Sequence, residues 1–200
     1  MGTKILYIIL FISSICFGQI SRNPQFVQFL QYDTSYTVTG QEPIGTRYWD
    51  EAEGTTSLVL DNGVILQDGQ EVYYPVINQT GGELENGKVA HYDGTNGNSG
   101  TLKVDYSVAS KTSVIPYFLG VITETIPNGG TGKVTRFGKV RGIQTNGADY
   151  GETWEDGDVL YVSTTNQGGM TNVMPTAPNP AIKIGWVISA HGTNGTIFVN

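Results

Sequence analysis

The chain is predicted to be all-β: a single antiparallel sandwich or barrel-like domain with short hairpins, preceded by an extended N-terminal arm. Three observations predict this. Turn dipeptides are dense, with six Asn-Gly pairs starting at Asn62, Asn86, Asn96, Asn128, Asn146 and Asn194, and three Asp-Gly pairs starting at Asp68, Asp93 and Asp156. Such pairs supply the positive φ that tight hairpin turns require. The runs between them are short and rich in Val, Ile, Tyr and Thr, which suit a pleated, half-buried surface. Helical spacing is offered only by VDYSVASKTSV (104–114), and as no more than a short helix. Short strands at regular intervals favour a sandwich or barrel over βαβ units.

Residues 1–19 read as a signal-peptide-like segment. Lys4 precedes the apolar run ILYIILFISSICF (5–17), and Gly18-Gln19 follow as a small-residue cleavage zone, with cuts after either residue expected. Spanning a bilayer takes about 20 apolar residues, more than this run supplies. Acylation at Cys16 is not expected, because Ile15 stands where a small residue is wanted. Cys16 is the only cysteine. A chain cut after residue 18 or 19 could hold no disulfide, zinc-cysteine site or cysteine nucleophile.

Residues 20–50 read as an extended arm or assembly segment, in which Tyr32, Tyr36 and Val38 alternate with polar residues. Residues 51–200 are the expected β-domain, with strands at 57–60, 64–67, 71–78, 88–92, 102–108, 117–123, 133–137, 139–144, 158–163, 182–189 and 196–199. MPTAPNPA (174–181) contains Pro175, Pro178 and Pro180, which cannot donate to a ladder, so it should cross between strands as an ordered loop or edge.

Composition limits the chemistry. The formal charge is −7, one unit more negative without Lys4, and no basic run is present. That balance argues against nucleic acid and anionic membrane surfaces as partners. GETWEDGDVLYVS (151–163) gathers Glu152, Glu155, Asp156 and Asp158 around Trp154. A glycosidase needs two carboxylates about 5–10 Å apart across a cleft, one of them buried. Glu155 and Asp156 are neighbours in a turn, and Asp158 opens the run Val159–Val162, where aspartate caps the local backbone. The spacing does not match a calcium-binding EF-hand loop. DGTNGNSG (93–100) reads as a hairpin tip. NGGTGKV (128–134) lacks the phosphate-loop pattern, since Val134 follows Lys133 and no helix is expected after it. The two histidines, His91 and His191, cannot complete a usual zinc site, and no nucleophile elbow is present. No cofactor, metal or catalytic residue is expected. The candidates for ligand contact are aromatic: Trp49, Tyr150 and Trp154, of which Trp49 and Trp154 are the better surface candidates, each read first as a packing anchor. Trp186 is expected in the core or an interface.

Four segments taken in order carry a resemblance: 47–89 (RYWDEAEG…LENGKV), 118–147 (FLGVITETIPNGGTGKV…QTNG), 151–180 (GETWEDGDVLYV…APNP) and 184–199 (IGWVISAHGTNGTIFV). Together they resemble a recurrent β-rich domain of tailed-bacteriophage tail-fibre, head-fibre and capsid-decoration proteins, over about the last three quarters of the chain. The resemblance implies a non-enzymatic virion structural protein, a homo-oligomer with a trimer favoured, and other virion proteins as partners. A cell-surface glycan is a further partner it would allow. It transfers no site residue. Virion proteins assemble in the host cytoplasm, so the export-like N-terminus departs from the pattern. Either the apolar run is kept as a membrane or assembly element, or a bacterium exports a phage-like domain. The alternative function is therefore a secreted surface-binding module for glycan or matrix, with a secreted or cell-surface location in place of the virion.

Overall fold

A computed structural model describes residues 30–110 and 118–200. The export-like segment and residues 20–29 of the expected arm lie outside the described residues. The chain divides into two units after Tyr32, and every strand among the described residues belongs to the second, Asp33–Asn200.

The described residues form twelve strands. Three of them, β1 (Arg47–Asp50), β2 (Thr55–Val59) and β3 (Ile65–Gln67), make a small antiparallel meander. The other nine are β4 (Val72–Asn78), β5 (Val89–Thr95), β6 (Leu102–Tyr106), β7 (Phe118–Ile122), β8 (Thr131–Ile143), β9 (Val159–Val162), β10 (Met170–Thr171), β11 (Lys183–Ser189) and β12 (Gly195–Val199). Their order is β10-β9-β11-β12-β8-β4-β6-β5-β7, and β7 also pairs with β8. Strands β8, β4, β6, β5 and β7 therefore close into a five-stranded barrel, and closure removes the edges that an open sheet would expose. Strands β12, β11, β9 and β10 extend from the far end of β8 as a flanking sheet.

Both halves of the sandwich-or-barrel expectation are thus realised at once. The barrel is filled by Val76, Leu84, Ala90, Val104, Ile122, Ile126 and Val134. A second core joins the barrel's outer side, through Val89 and Val121, to Val140, Leu160, Val162, Ile184, Val187, Ile197 and Val199 of β8 and the flanking sheet. Adjacent residues in β5 (Val89, Ala90) and β7 (Val121, Ile122) serve opposite cores, which explains why these strands are apolar without alternation. Each fully buried aliphatic side chain contributes about 1.5–3 kcal/mol relative to exposure.

Strand β8 carries this architecture. The runs expected as separate strands, 133–137 and 139–144, are one strand of 13 residues. Gly138, at φ 117°, lets the strand turn from the barrel into the flanking sheet without breaking the ladder. One pair departs from the antiparallel expectation: β4 and β6 run parallel, with Val76 opposite Leu102. Strands β1 and β10 had no sequence signal of their own, being 4 and 2 residues long. The short helix that 104–114 offered as an alternative to the strand at 102–108 does not form over its described part, because Val104–Tyr106 belong to β6 and 107–110 have no regular structure. The proline-rich stretch connects β10 to β11 as a loop, as expected.

Of the nine Asn-Gly and Asp-Gly glycines, eight adopt positive φ. Gly195 is the exception, and its requirement is space: a Cβ there would collide with Thr145.

The described part of the arm forms no strand before Arg47, yet it has fixed turns. The Asp33 carboxylate accepts from the Ser35 N–H (2.9 Å) and hydroxyl (2.7 Å). The Glu42 carboxylate accepts from the Thr39 N–H (2.6 Å), the Gly40 N–H (2.9 Å) and the Tyr36 hydroxyl (3.0 Å). These bonds hold the Glu42 carboxyl down at about 2, the Thr39 N–H contributing most.

Candidate functional site

The structure brings Tyr150 and Trp154 together and leaves Trp49 on the small sheet. Trp49 lies in β1 opposite Thr56, half-buried, and its indole N–H donates to Glu51 at 2.9 Å. Tyr150 is half-buried in a single 3-10 turn, Ala148–Tyr150, with Lys88 Nζ 5.3 Å from its ring centre. Its ring stacks on Trp154, centroids 5.5 Å apart and planes 20° from parallel.

Trp154 itself is 2% exposed and belongs to the core beneath the flanking sheet, so of its two readings the packing anchor holds and the surface contact does not. Gly147 takes φ 79°, and a Cβ there would lie 2.7 Å from the Trp154 ring. The chain therefore folds tightly back, Trp154 N–H donating to Asn146 C=O at 3.0 Å, and the indole turns inward. No free ring face remains on Trp154 for a sugar to stack against.

The carboxylates around it are spent on folding. Glu152 accepts from the Trp154 indole N–H (2.6 Å), the Thr171 hydroxyl (2.6 Å) and the Asn172 N–H (3.1 Å), fastening this loop to β10. Asp156 accepts from Ala190 N–H at 2.6 Å. Asp158 accepts from Glu155 N–H (3.0 Å) and the Asn172 amide (2.8 Å), the latter contributing most to holding its carboxyl below the ordinary range. The expected strand-entry turn is what these bonds build.

The other motifs also resolve into local structure. His191 Nδ1 accepts from the N–H groups of Thr193 (3.1 Å) and Asn194 (2.9 Å), whereas His91 lies in β5 opposite Asp105. Among the described residues no three His, Cys, Asp or Glu side chains gather as a metal site. NGGTGKV runs straight into β8. Asn78 is fully buried, its amide donating to Gly82 and Ile126 C=O at 2.8 Å each.

One concavity was not anticipated. A polar cleft of about 780 Å³ separates the small sheet from the barrel, lined by residues including Tyr48, Glu53, Glu71, Glu124, Lys139 and Arg141. The small sheet gives no residue to either apolar core. It is tied down by charge instead. Glu53 receives Lys139 at 2.6 Å and Arg141 at 2.8 Å, and Arg141 also reaches Glu71 at 2.8 Å and Gln67 at 3.2 Å. Lys139, with help from Arg141, holds the Glu53 carboxyl below its ordinary value, whereas burial pushes Glu71 up. Farther along β8, Lys133 contacts both Asp61, in the turn between β2 and β3, and Glu124. The one signal for this arrangement was the spacing of Lys139 and Arg141, which share a face of β8 by strand alternation, whereas a register shift between Thr135 and Phe137 keeps that alternation from extending to Lys133. Their carboxylate partners lie 70 to 88 residues away, apart from Glu124, and no local pattern reveals them. Chemically, the arrangement is an ion-pair network of three cations and four carboxylates that clamps two sheets.

No protein family matches the chain by sequence, and no curated protein matches it. Among solved structures, the base of the head fibre gp8.5 of bacteriophage phi29 is similar at TM-score 0.39 and 13% identity, covering 66% of this chain and 95% of that one. A chain from the capsid of the Myoviridae phage XM1 is similar at TM-score 0.43 and 10% identity, covering 68% of this chain and 86% of that one.

Proposed function

We propose that this chain is a non-enzymatic structural protein of a phage particle, with residues 20–47 as an assembly segment and the β-domain displayed outward for assembly or host attachment. The observation that carries this reading is the arm. Ile44 is 71% exposed and Tyr36 and Val38 each 42%, yet Asp33 and Glu42 hold the backbone around them in built turns. A segment shaped in advance, with apolar side chains its own domain does not cover, suits a neighbouring subunit. A second support is the outer face of the flanking sheet. Trp186 stacks on Phe198 at 4.9 Å, and Phe198 meets Phe137, itself 40% exposed, edge-on at 5.2 Å. The sequence resemblance to fibre and decoration domains points the same way, with a homo-oligomer, a trimer foremost, as the expected state. Displayed copies gain avidity from several weak contacts.

Light scattering on the full chain, together with N-terminal sequencing of protein taken from particles and from medium, tests the reading. A multimer that co-purifies with particles is expected. A strictly monomeric protein that accumulates in medium with a mature start near Ile20, in the absence of particles, overturns it. The secreted surface-binding module would then stand, with the half-buried Trp49 and Tyr150 as its contact residues.

A further inference from the structure

The geometry points to an intramolecular isopeptide bond between Lys133 and Asp61, formed autocatalytically with Glu124 as the proton carrier. Lys133 lies in β8 opposite Pro75 of β4, and its side chain is 8% exposed. The amine contacts two carboxylates from different parts of the fold: Oδ1 of Asp61 and Oε1 of Glu124, the latter at 3.0 Å. Asp61 opens the 3-10 turn Asp61–Gly63, pinned by Val64 N–H donating to its carbonyl at 3.2 Å. The turn thus presents the Asp61 carboxyl to β8 across a separation of 72 residues.

Glu124 supplies the independent observation. It is 7% exposed, lines the cleft, and its Oε2 is buried with no hydrogen-bond partner. The unpaired Oε2 leaves acceptor capacity on Glu124 that no described group uses, beside an amine its other oxygen already contacts. A group in this setting, touching the amine, is suited to take a proton and return it.

The step balances without any outside reagent. Glu124 takes a proton from the Lys133 ammonium. The free amine attacks Cγ of Asp61, the Nζ–Cγ bond forms, and the Cγ–Oδ bond breaks. The departing oxygen leaves as water, with the second amine proton and the one Glu124 returns. An ammonium and a carboxylate have become a neutral amide and one water, and Glu124 ends as it began.

The ground state resists the first proton transfer. Burial alone would lower the Lys133 amine, but its bonds to Asp61 and Glu124 outweigh that and hold it protonated, and Lys133 in turn holds Asp61 ionised. Slow maturation after folding is the consequence. The product would fasten covalently a sheet held by ion pairs, in a chain whose sole cysteine lies in the export-like segment.

Peptide mass mapping of the purified, aged full chain tests the bond. The expected product is a branched peptide containing residues 61 and 133, lighter than its two parts by one water. Dehydration of Asp68, Asp93 or Asp156 before glycine has the same mass change but leaves a linear peptide that hydroxylamine opens. Lys133→Arg and Asp61→Ala should each abolish the branch. Glu124→Gln, checked for folding by circular dichroism, should slow branch formation about 10²-fold or more. An unbranched Lys133 peptide as the main species from the folded, aged wild type overturns the bond. Undiminished branching in Glu124→Gln overturns the role of Glu124.

Discussion

Replacing Trp154 by alanine should destabilise the domain severely, and the size of the effect separates a packing anchor from a surface contact. The ring is 2% exposed, stacks on Tyr150, and donates to the Glu152 carboxylate at 2.6 Å. Emptying a buried tryptophan site costs about 3–5 kcal/mol. Removing a donor from a charged acceptor adds up to about 1.5–3 kcal/mol. Thr171 and Asn172 still satisfy Glu152, so the lower part of that range applies and the total is about 4–6 kcal/mol. For a domain of this size, each kcal/mol moves Tm by about 2–4 °C, which places the fall at roughly 10–20 °C. Trp154→Phe keeps a stacked ring but loses the N–H donor and some volume, and should cost about 2 kcal/mol. Thermal unfolding followed by circular dichroism measures both variants. A surface tryptophan would cost no more than about 0.5 kcal/mol. A Trp154→Ala protein melting within about 2 °C of the wild type would therefore refute the buried placement.

Other consequences are open to measurement. Arg141→Ala removes the cation shared by Glu53 and Glu71 and should cost about 1–3 kcal/mol. Hydrogen exchange should accelerate in residues 47–67 and leave the barrel protected, and uniform acceleration would contradict a separately clamped sheet. Glu42 should titrate near its depressed value of about 2 by carboxyl chemical shift. Because its folded value is lowered from 4.5, the arm turn is fully supported above 4.5 and is lost as pH falls through about 2. Titration at an ordinary 4 to 5 would mean that the turn is not formed. Gly120→Ala should cost about 3 kcal/mol or more, because a Cβ would strike the Thr135 carbonyl across the β7–β8 pair that closes the barrel. Soluble, wild-type-like Gly120→Ala protein would argue against that closure.

Residue order alone determined the fold class and most strand positions. Asn-Gly and Asp-Gly pairs dictate turns through one local property, the ease of positive φ, and the β-branched runs between them have no periodicity but that of a strand. Asp158 could likewise be read as a strand-entry cap, because capping acts over a few residues. The tertiary structure decided what depends on distant partners. It merged two expected strands into β8, because Gly138, at positive φ and packed against Gln70 and Glu71, bends the strand without ending it. It buried Trp154, because a left-handed Gly147 turns the loop inward. It also placed Lys133, Lys139 and Arg141 against carboxylates from Glu53, Asp61, Glu71 and Glu124. A charge in a sequence carries no record of what it will neutralise, since Coulomb attraction depends on distance in space and not along the chain.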